Sequence, residues 1–216
     1  MTDDRREEAA SPTILSHVVD AANLLTLTGI AASILAITLA VRGEYAGAAI
    51  SLVVAFALDV IDGPVAKRTR GRTVEQGAFG ANLDSLADMV SAGVALGVVV
   101  MSYGQFRAAY VPVAVLLAAA TALRLSYFNV HGLDEGSATY TGLPTDLAVI
   151  IFVALMLLDV LLDLDVFRVA LAVGGVAIAA LMVSPLRVPK LEGRWFVAVL
   201  MFGLALAAAH AVRPIA

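Results

Sequence analysis

Asp59-Val-Ile-Asp62-Gly63-Pro-Val-Ala66-Lys67, followed by Gly80-Ala-Asn-Leu-Asp84-Ser-Leu-Ala-Asp88, places four aspartates inside segments that otherwise read as membrane helices. A carboxylate in lipid costs about 3 kcal/mol on insertion scales, so four together call for compensating positive charge. Asp59 and Asp62 are three residues apart and Asp84 and Asp88 four apart, so each pair lines one face of its helix. If the two helices are antiparallel neighbours, the carboxylates converge into an all-oxygen cage suited to Mg²⁺, Mn²⁺ or Ca²⁺.

The composition around this stretch sets the fold class. The chain has 216 residues, is 61% hydrophobic and has a mean hydropathy of +0.92. Ordinary soluble domains are about 45–50% apolar, so the expectation is an all-α, polytopic transmembrane helix bundle. Apolar runs cover about 23–41, 45–66, 82–103, 108–128, 143–161, 166–183 and 195–212, which makes seven spans. Residues 1–16 form a charged tail without the residue order of a cleaved signal peptide. A short surface helix is expected over about 12–22, and residues 17–216 form a single transmembrane domain. Cysteine is absent, which excludes disulfides and thiolate chemistry. A net charge of −4 speaks against nucleic-acid binding. Only Lys67 and Lys190 of the 14 basic residues are lysine, and this bias, the acidic head and the abundant alanine suit a salt-adapted, GC-rich source.

Placing the N-terminus inside puts Arg5, Arg6, Lys67, Arg68, Arg70, Arg72, Arg124, Arg187, Lys190 and Arg194 on the cytoplasmic side. Arg42, Arg107, Arg168 and Arg213 are left outside, in keeping with the positive-inside rule. The aspartates then lie near the cytoplasmic surface of the cell membrane, beneath the basic segment 67–72. Acids under guanidinium groups suit a metal-bound, phosphate-bearing ligand. Two divalent ions would clamp a diphosphate, and Gly63, Ala66 and Gly80 would let backbone approach it. A carboxylate at the edge of the cage would serve as general base.

These residues resemble the signature of the CDP-alcohol phosphotransferases, D-x2-D-G-x2-A-R-x8-G-x3-D-x3-D. Here it reads Asp59-x2-Asp62-Gly63-x2-Ala66-Lys67-x12-Gly80-x3-Asp84-x3-Asp88, with Lys67 in place of arginine and a connecting segment four residues longer. Lysine keeps the charge and loses the bidentate fork, so phosphate contact would shift to Arg68 or Arg70. The resemblance implies a six-helix membrane core, usually homodimeric, with about one extra C-terminal helix here. It implies transfer of a phosphatidyl-type group from a CDP-linked lipid to an alcohol, with release of CMP. By the same resemblance two ions, Mg²⁺ or Mn²⁺, are held by Asp59, Asp62, Asp84 and Asp88, with Asp88 also the general base. Gly63, Ala66, Lys67, Arg68 and Gly80 would border the CDP-lipid, and Asn23 and Thr26 would reach the nucleotide.

The run Phe79 to Val94 (FGANLDSLADMVSAGV), with Arg124-Leu-Ser-Tyr-Phe-Asn129-Val and Thr141-Gly-Leu-Pro144-Thr, is similar to the phosphatidylserine synthase branch. That implies L-serine as acceptor, with Arg124 and Asn129 at the acceptor, and an archaeol lipid if the source is salt-adapted. Ala92, Leu96 and Asp146 depart from the branch pattern, where it has Phe, Pro and a second Pro. Two alternatives stay open: an acceptor such as glycerol 3-phosphate or inositol phosphate, for which Arg68, Arg70 and Arg72 would supply a basic pocket, and a cation-coupled transporter. Clustering of the acids on two consecutive helices does not match the spread expected of a transporter. His17, His131 and His210 read as surface or loop residues, and Asp134, Glu135, Asp159, Asp163 and Asp165 as solvated loop charges. Trp195 and Phe196 read as interfacial anchors, and Gly93 and Gly97 form a GxxxG that permits close helix packing.

Overall fold

In the computed structural model, which describes residues 15, 18, 20–69, 71–132, 139–190 and 193–213, each of the seven apolar runs is covered, to within two residues at its ends, by a helix or its helical extension. They are α1 (Ala21–Val41), α2 (Tyr45–Arg68), α3 (Val74–Tyr103), α4 (Ala108–His131), α5 (Thr145–Met156), α6 (Leu164–Met182) and α7 (Arg194–Val212). All but α5 are long and apolar enough to cross a membrane. Helix α5 is 12 residues long and continues into a 3₁₀ turn, Leu157–Val160. A two-stranded antiparallel ribbon, β1 (Thr139–Thr141) and β2 (Arg187–Pro189), ties the segment before α5 to the segment after α6. The expected tail 1–16, most of the surface helix over 12–22, His17, Arg70, Asp134 and Glu135 lie outside the described residues, Leu15 and a few positions from 18 onward excepted.

The core is apolar and shared by all seven helices. Leu52 and Phe56 of α2, Leu96 of α3, Leu117 of α4, Phe152 of α5 and Phe167 of α6 are buried together, with Leu206 of α7. Large apolar side chains also stand exposed around the outside, among them Ile34, Val115, Val169 and Phe202. A helix that is apolar on both its packed and its outer faces is what a lipid surround requires. The GxxxG glycines serve this core: a Cβ on Gly97 would meet Ala114 of α4 at 3.2 Å, and one on Gly93 would meet Thr121 at 3.4 Å.

Helix α3 starts eight residues before its apolar run. Thr73 caps it, accepting from the Gln76 amide at 3.1 Å while Gln76 Oε1 accepts from the Thr73 amide at 2.9 Å. This reciprocal box satisfies two of the amides that a helix start leaves open. Most of the long segment between the two halves of the motif is therefore helix. Within α3, Met89–Ala95 winds as a π-helix immediately after Asp88, a local widening common at functional sites.

Two of the solvated or surface assignments are corrected by the packing. Asp159 accepts from Tyr103 Oη at 2.8 Å and from Arg213 at 2.6 Å, with the carboxylate and guanidinium largely buried. His210 is 1% exposed and bonds the Val153 carbonyl through Nε2 at 3.1 Å. Both are drawn inward because α7 packs against α2 and α5, where Gly203 lets it approach Phe56 and Ile150. Asp163, Asp165 and His131 are exposed, as expected.

Candidate active site

The end of the bundle opposite Asp159 holds a cavity of about 740 Å³. Asp59 and Gly63 reach it from α2, Asp84 and Asp88 from α3, Arg124 and Asn129 from α4, and Asp146 from α5. Lys67 and Lys190 stand at the same walls, and Phe196 and Val199 of α7 add apolar lining. Pro64 follows Gly63 inside α2 and has no N–H to donate to the carbonyl one turn back.

The carboxylates gather as two overlapping trios. Oxygens of Asp59, Asp62 and Asp84 lie within 4.8 Å of one another, and so do oxygens of Asp59, Asp88 and Asp146. Asp59 belongs to both. Among the described residues no lysine or arginine comes within 4.0 Å of any of the five. Neutral partners orient two of them. Thr26 Oγ1 donates to Asp62 at 2.7 Å, and Thr145 Oγ1 donates to Asp88 at 2.6 Å. Thr145 in turn accepts from Arg124 at 3.2 Å, so a guanidinium stands one hydroxyl away from Asp88. Converging carboxylates with no cation between them, held by hydroxyls that leave oxygens open, are a donor set that fits hard divalent ions.

A model of the CDP-alcohol phosphatidyltransferases matches residues 19–183, which takes in α1 to α6 and all five aspartates. The chain belongs to that family. Among curated members it is similar to an archaetidylserine synthase from Methanothermobacter thermautotrophicus, 33% identical over 172 residues, 79% of this chain and 70% of the relative. It is also similar to a CDP-diacylglycerol–serine O-phosphatidyltransferase from Helicobacter pylori, 30% identical over 139 residues, 63% of this chain and 57% of the relative. Helix α7 lies beyond the family match, as the extra C-terminal helix expected from the sequence.

The family motif is not gathered whole around the cavity. Asp59, Gly63, Lys67, Asp84 and Asp88 line it, as do Arg124 and Asn129. Asp62 joins through the first trio and brings Thr26 with it. Asn23, Ala66, Arg68 and Gly80 are not at its walls. Asn23 Oδ1 instead accepts from Arg72 at 3.1 Å, and Arg72 Nε pairs with Asp20 at 2.6 Å. Gly80 backs onto this cluster, because a Cβ there would strike the Arg72 guanidinium and lie 2.8 Å from Asn23 Oδ1. The missing side chain makes room for an arginine that fastens the start of α3 to α1. Arg72 thus meets Asp20, Asn23 and the Gln76 carbonyl. Asn129 pairs with Ser85, its Nδ2 donating to Ser85 Oγ at 3.1 Å.

Two residues of the site have no site role in the sequence reading: Asp146 reads there as a departure at a proline position, and Thr145 only as the last residue of the Thr141-Gly-Leu-Pro144-Thr resemblance. The available signal was an acid in the first turn of an otherwise apolar segment, but such an acid also fits a favourable helix-dipole position.

Proposed function

We propose that this chain transfers the phosphatidyl-type group of a CDP-lipid to the hydroxyl of L-serine, releasing CMP, at the cytoplasmic face of the cell membrane. The observation that carries the reading is the chain Arg124–Thr145–Asp88 at the wall of the acidic cavity. It sets an anion-binding guanidinium beside a carboxylate able to take a proton, which suits an acceptor bearing both a carboxylate and a hydroxyl. Two relatives support the same acceptor, one named for a serine-bearing product and the other for serine as its acceptor. The archaetidylserine synthase favours archaeol as the lipid.

Asp59, Asp62, Asp84 and Asp88 would hold divalent cations, Mg²⁺ or Mn²⁺, which when bound neutralise the diphosphate and stabilise charge at the reacting phosphorus. The residues of the chain do the rest. Lys67 and Gly63 border the diphosphate, Lys67 as a point charge and Gly63 by close backbone approach. Arg124 receives the serine carboxylate. Asp88, fixed by Thr145, accepts the proton of the serine hydroxyl as its oxygen attacks the lipid-side phosphorus. The bond from that phosphorus to the diphosphate bridging oxygen breaks, and CMP leaves with that oxygen. Helix α7 closes one side of the cavity with Phe196 and Val199, an apolar wall suited to the lipid part of the substrate. The working unit is a homodimer, as the family resemblance implies.

The test is CMP release by protein purified in detergent, supplied with CDP-archaeol or CDP-diacylglycerol, Mn²⁺ or Mg²⁺, and one acceptor at a time. Serine-dependent, chelator-sensitive release is expected. Release driven by glycerol 3-phosphate or inositol phosphate in place of serine would overturn the acceptor, and no release with any acceptor would overturn the reaction.

A further inference from the structure

Asp146 is the one acid of the site that the family motif does not contain, and its position is unusual for a helix-start acid. It lies in the first turn of α5 yet is only half-exposed. Its carboxylate faces the cavity and approaches Asp59 and Asp88 within 4.8 Å, where it meets like charge. A helix-start acid turned to water keeps a dipole benefit and escapes the like charge of Asp59 and Asp88, so helix stability alone does not account for this direction. Among the described residues no lysine or arginine within 4.0 Å compensates it.

The second observation is Arg124. Its side chain is 7% exposed, it lines the same cavity, and its Nε has no hydrogen-bond partner among the described residues. A buried guanidinium N–H left unpaired costs free energy, and the guanidinium as a whole brings positive charge to the cavity wall. Thr145, adjacent in sequence to Asp146, joins Arg124 to Asp88. The cavity wall therefore presents a cation, a proton acceptor and a second, uncompensated anion side by side.

We infer that Asp146 binds the ammonium group of a zwitterionic acceptor, opposite the carboxylate held by Arg124, and so sets the preference for an amino acid over other alcohols. In L-serine the ammonium and hydroxyl stand on neighbouring carbons, which matches an ammonium at Asp146 with the hydroxyl at Asp88, whose oxygens lie within 4.8 Å. The same carboxylate repels an acceptor that carries phosphate in place of ammonium. This inference rests on the serine reading above.

The experiment measures KM for L-serine, KM for CDP-lipid and Mn²⁺ affinity in the unaltered full-length protein and in Asp146→Asn, together with use of 3-hydroxypropionate, which lacks the ammonium. In Asp146→Asn the KM for serine rises about tenfold or more. The preference for serine over 3-hydroxypropionate falls by a similar factor, while the KM for CDP-lipid and Mn²⁺ affinity hold within about twofold. Asp146→Ser, which keeps a good helix-start residue, supplies the same comparison if Asp146→Asn is not recovered folded. An unchanged serine KM alongside serine-dependent turnover in the unaltered protein overturns this inference alone. Weakened Mn²⁺ binding overturns it in favour of a metal ligand. Absence of serine-dependent turnover in the unaltered protein overturns both it and the proposed function.

Discussion

At one end of the bundle Asp159 gives a single oxygen to Tyr103 and Arg213, at 2.8 and 2.6 Å, and Arg168 caps the same corner by donating to the Tyr103 carbonyl at 2.7 Å. At the other end five aspartates converge within two overlapping trios, and among the described residues none has a basic side chain within 4.0 Å. Two helices reach both groups: α3 runs from Asp84 and Asp88 to Tyr103, and α5 from Asp146 towards Asp159. A charge kept for structure comes with its counter-charge in the chain, because removing either partner of a buried pair is costly. A charge kept for ligands does not, and the repulsion among its neighbours is relieved only by what binds. The difference separates a clasp from a site.

The contrast is broken most severely at the residue shared by both trios. Asp59→Ala is expected to abolish CMP release, and Asp88→Ala to lower it about a thousandfold or more. Membrane insertion should survive in both, as judged by recovery of folded protein in detergent. Residual turnover in Asp88→Ala close to that of the unaltered protein would remove Asp88 as the base.

The opposite end should answer in stability instead. Asp159→Asn leaves Arg213 buried without its counter-charge, and a loss of about 3 kcal/mol is expected in reversible unfolding. Turnover per folded molecule stays near that of the unaltered protein. Conversely, Asp59→Asn without added divalent ions should unfold no more easily than the unaltered protein, since it removes repulsion rather than a bond. Equal destabilisation by the two substitutions would erase the distinction between the ends.

Smaller effects lie at the edges. Gly80→Ala pushes Arg72 away from Asn23 and should cost about 1–3 kcal/mol, read by thermal unfolding. Lys67→Arg restores the residue usual in the resembling family. With the charge kept, it should change the KM for CDP-lipid by no more than about threefold, whereas Lys67→Ala should raise it about tenfold.

The legibility of these regions in the sequence was uneven for physical reasons. Four aspartates at helical spacing inside apolar runs stand out because lipid penalises charge, so they pointed at once to convergence and to cations. The seven helices were visible for the same reason, including α5, which is too short to cross a membrane unaided. The early start of α3 was also written in the sequence, as Thr73 and Gln76 three residues apart, though outside the apolar run that marks the span. Asp146, Asp159 and His210 were not legible. Each is isolated in sequence, and its meaning depends on what stands opposite it: Asp88 for the first, Arg213 for the second and the Val153 carbonyl for the third. Gly80 reads in the sequence as a ligand contact because small residues admit both ligands and side chains, and the packing adds that it admits Arg72.

The most direct test of the two-ended account is Mn²⁺ binding, followed by the loss of the free-ion paramagnetic resonance signal, in the unaltered protein, Asp59→Asn and Asp159→Asn. The unaltered protein and Asp159→Asn are expected to bind Mn²⁺ alike, and Asp59→Asn to lose most of the binding. Binding by Asp59→Asn equal to that of the unaltered protein would contradict it.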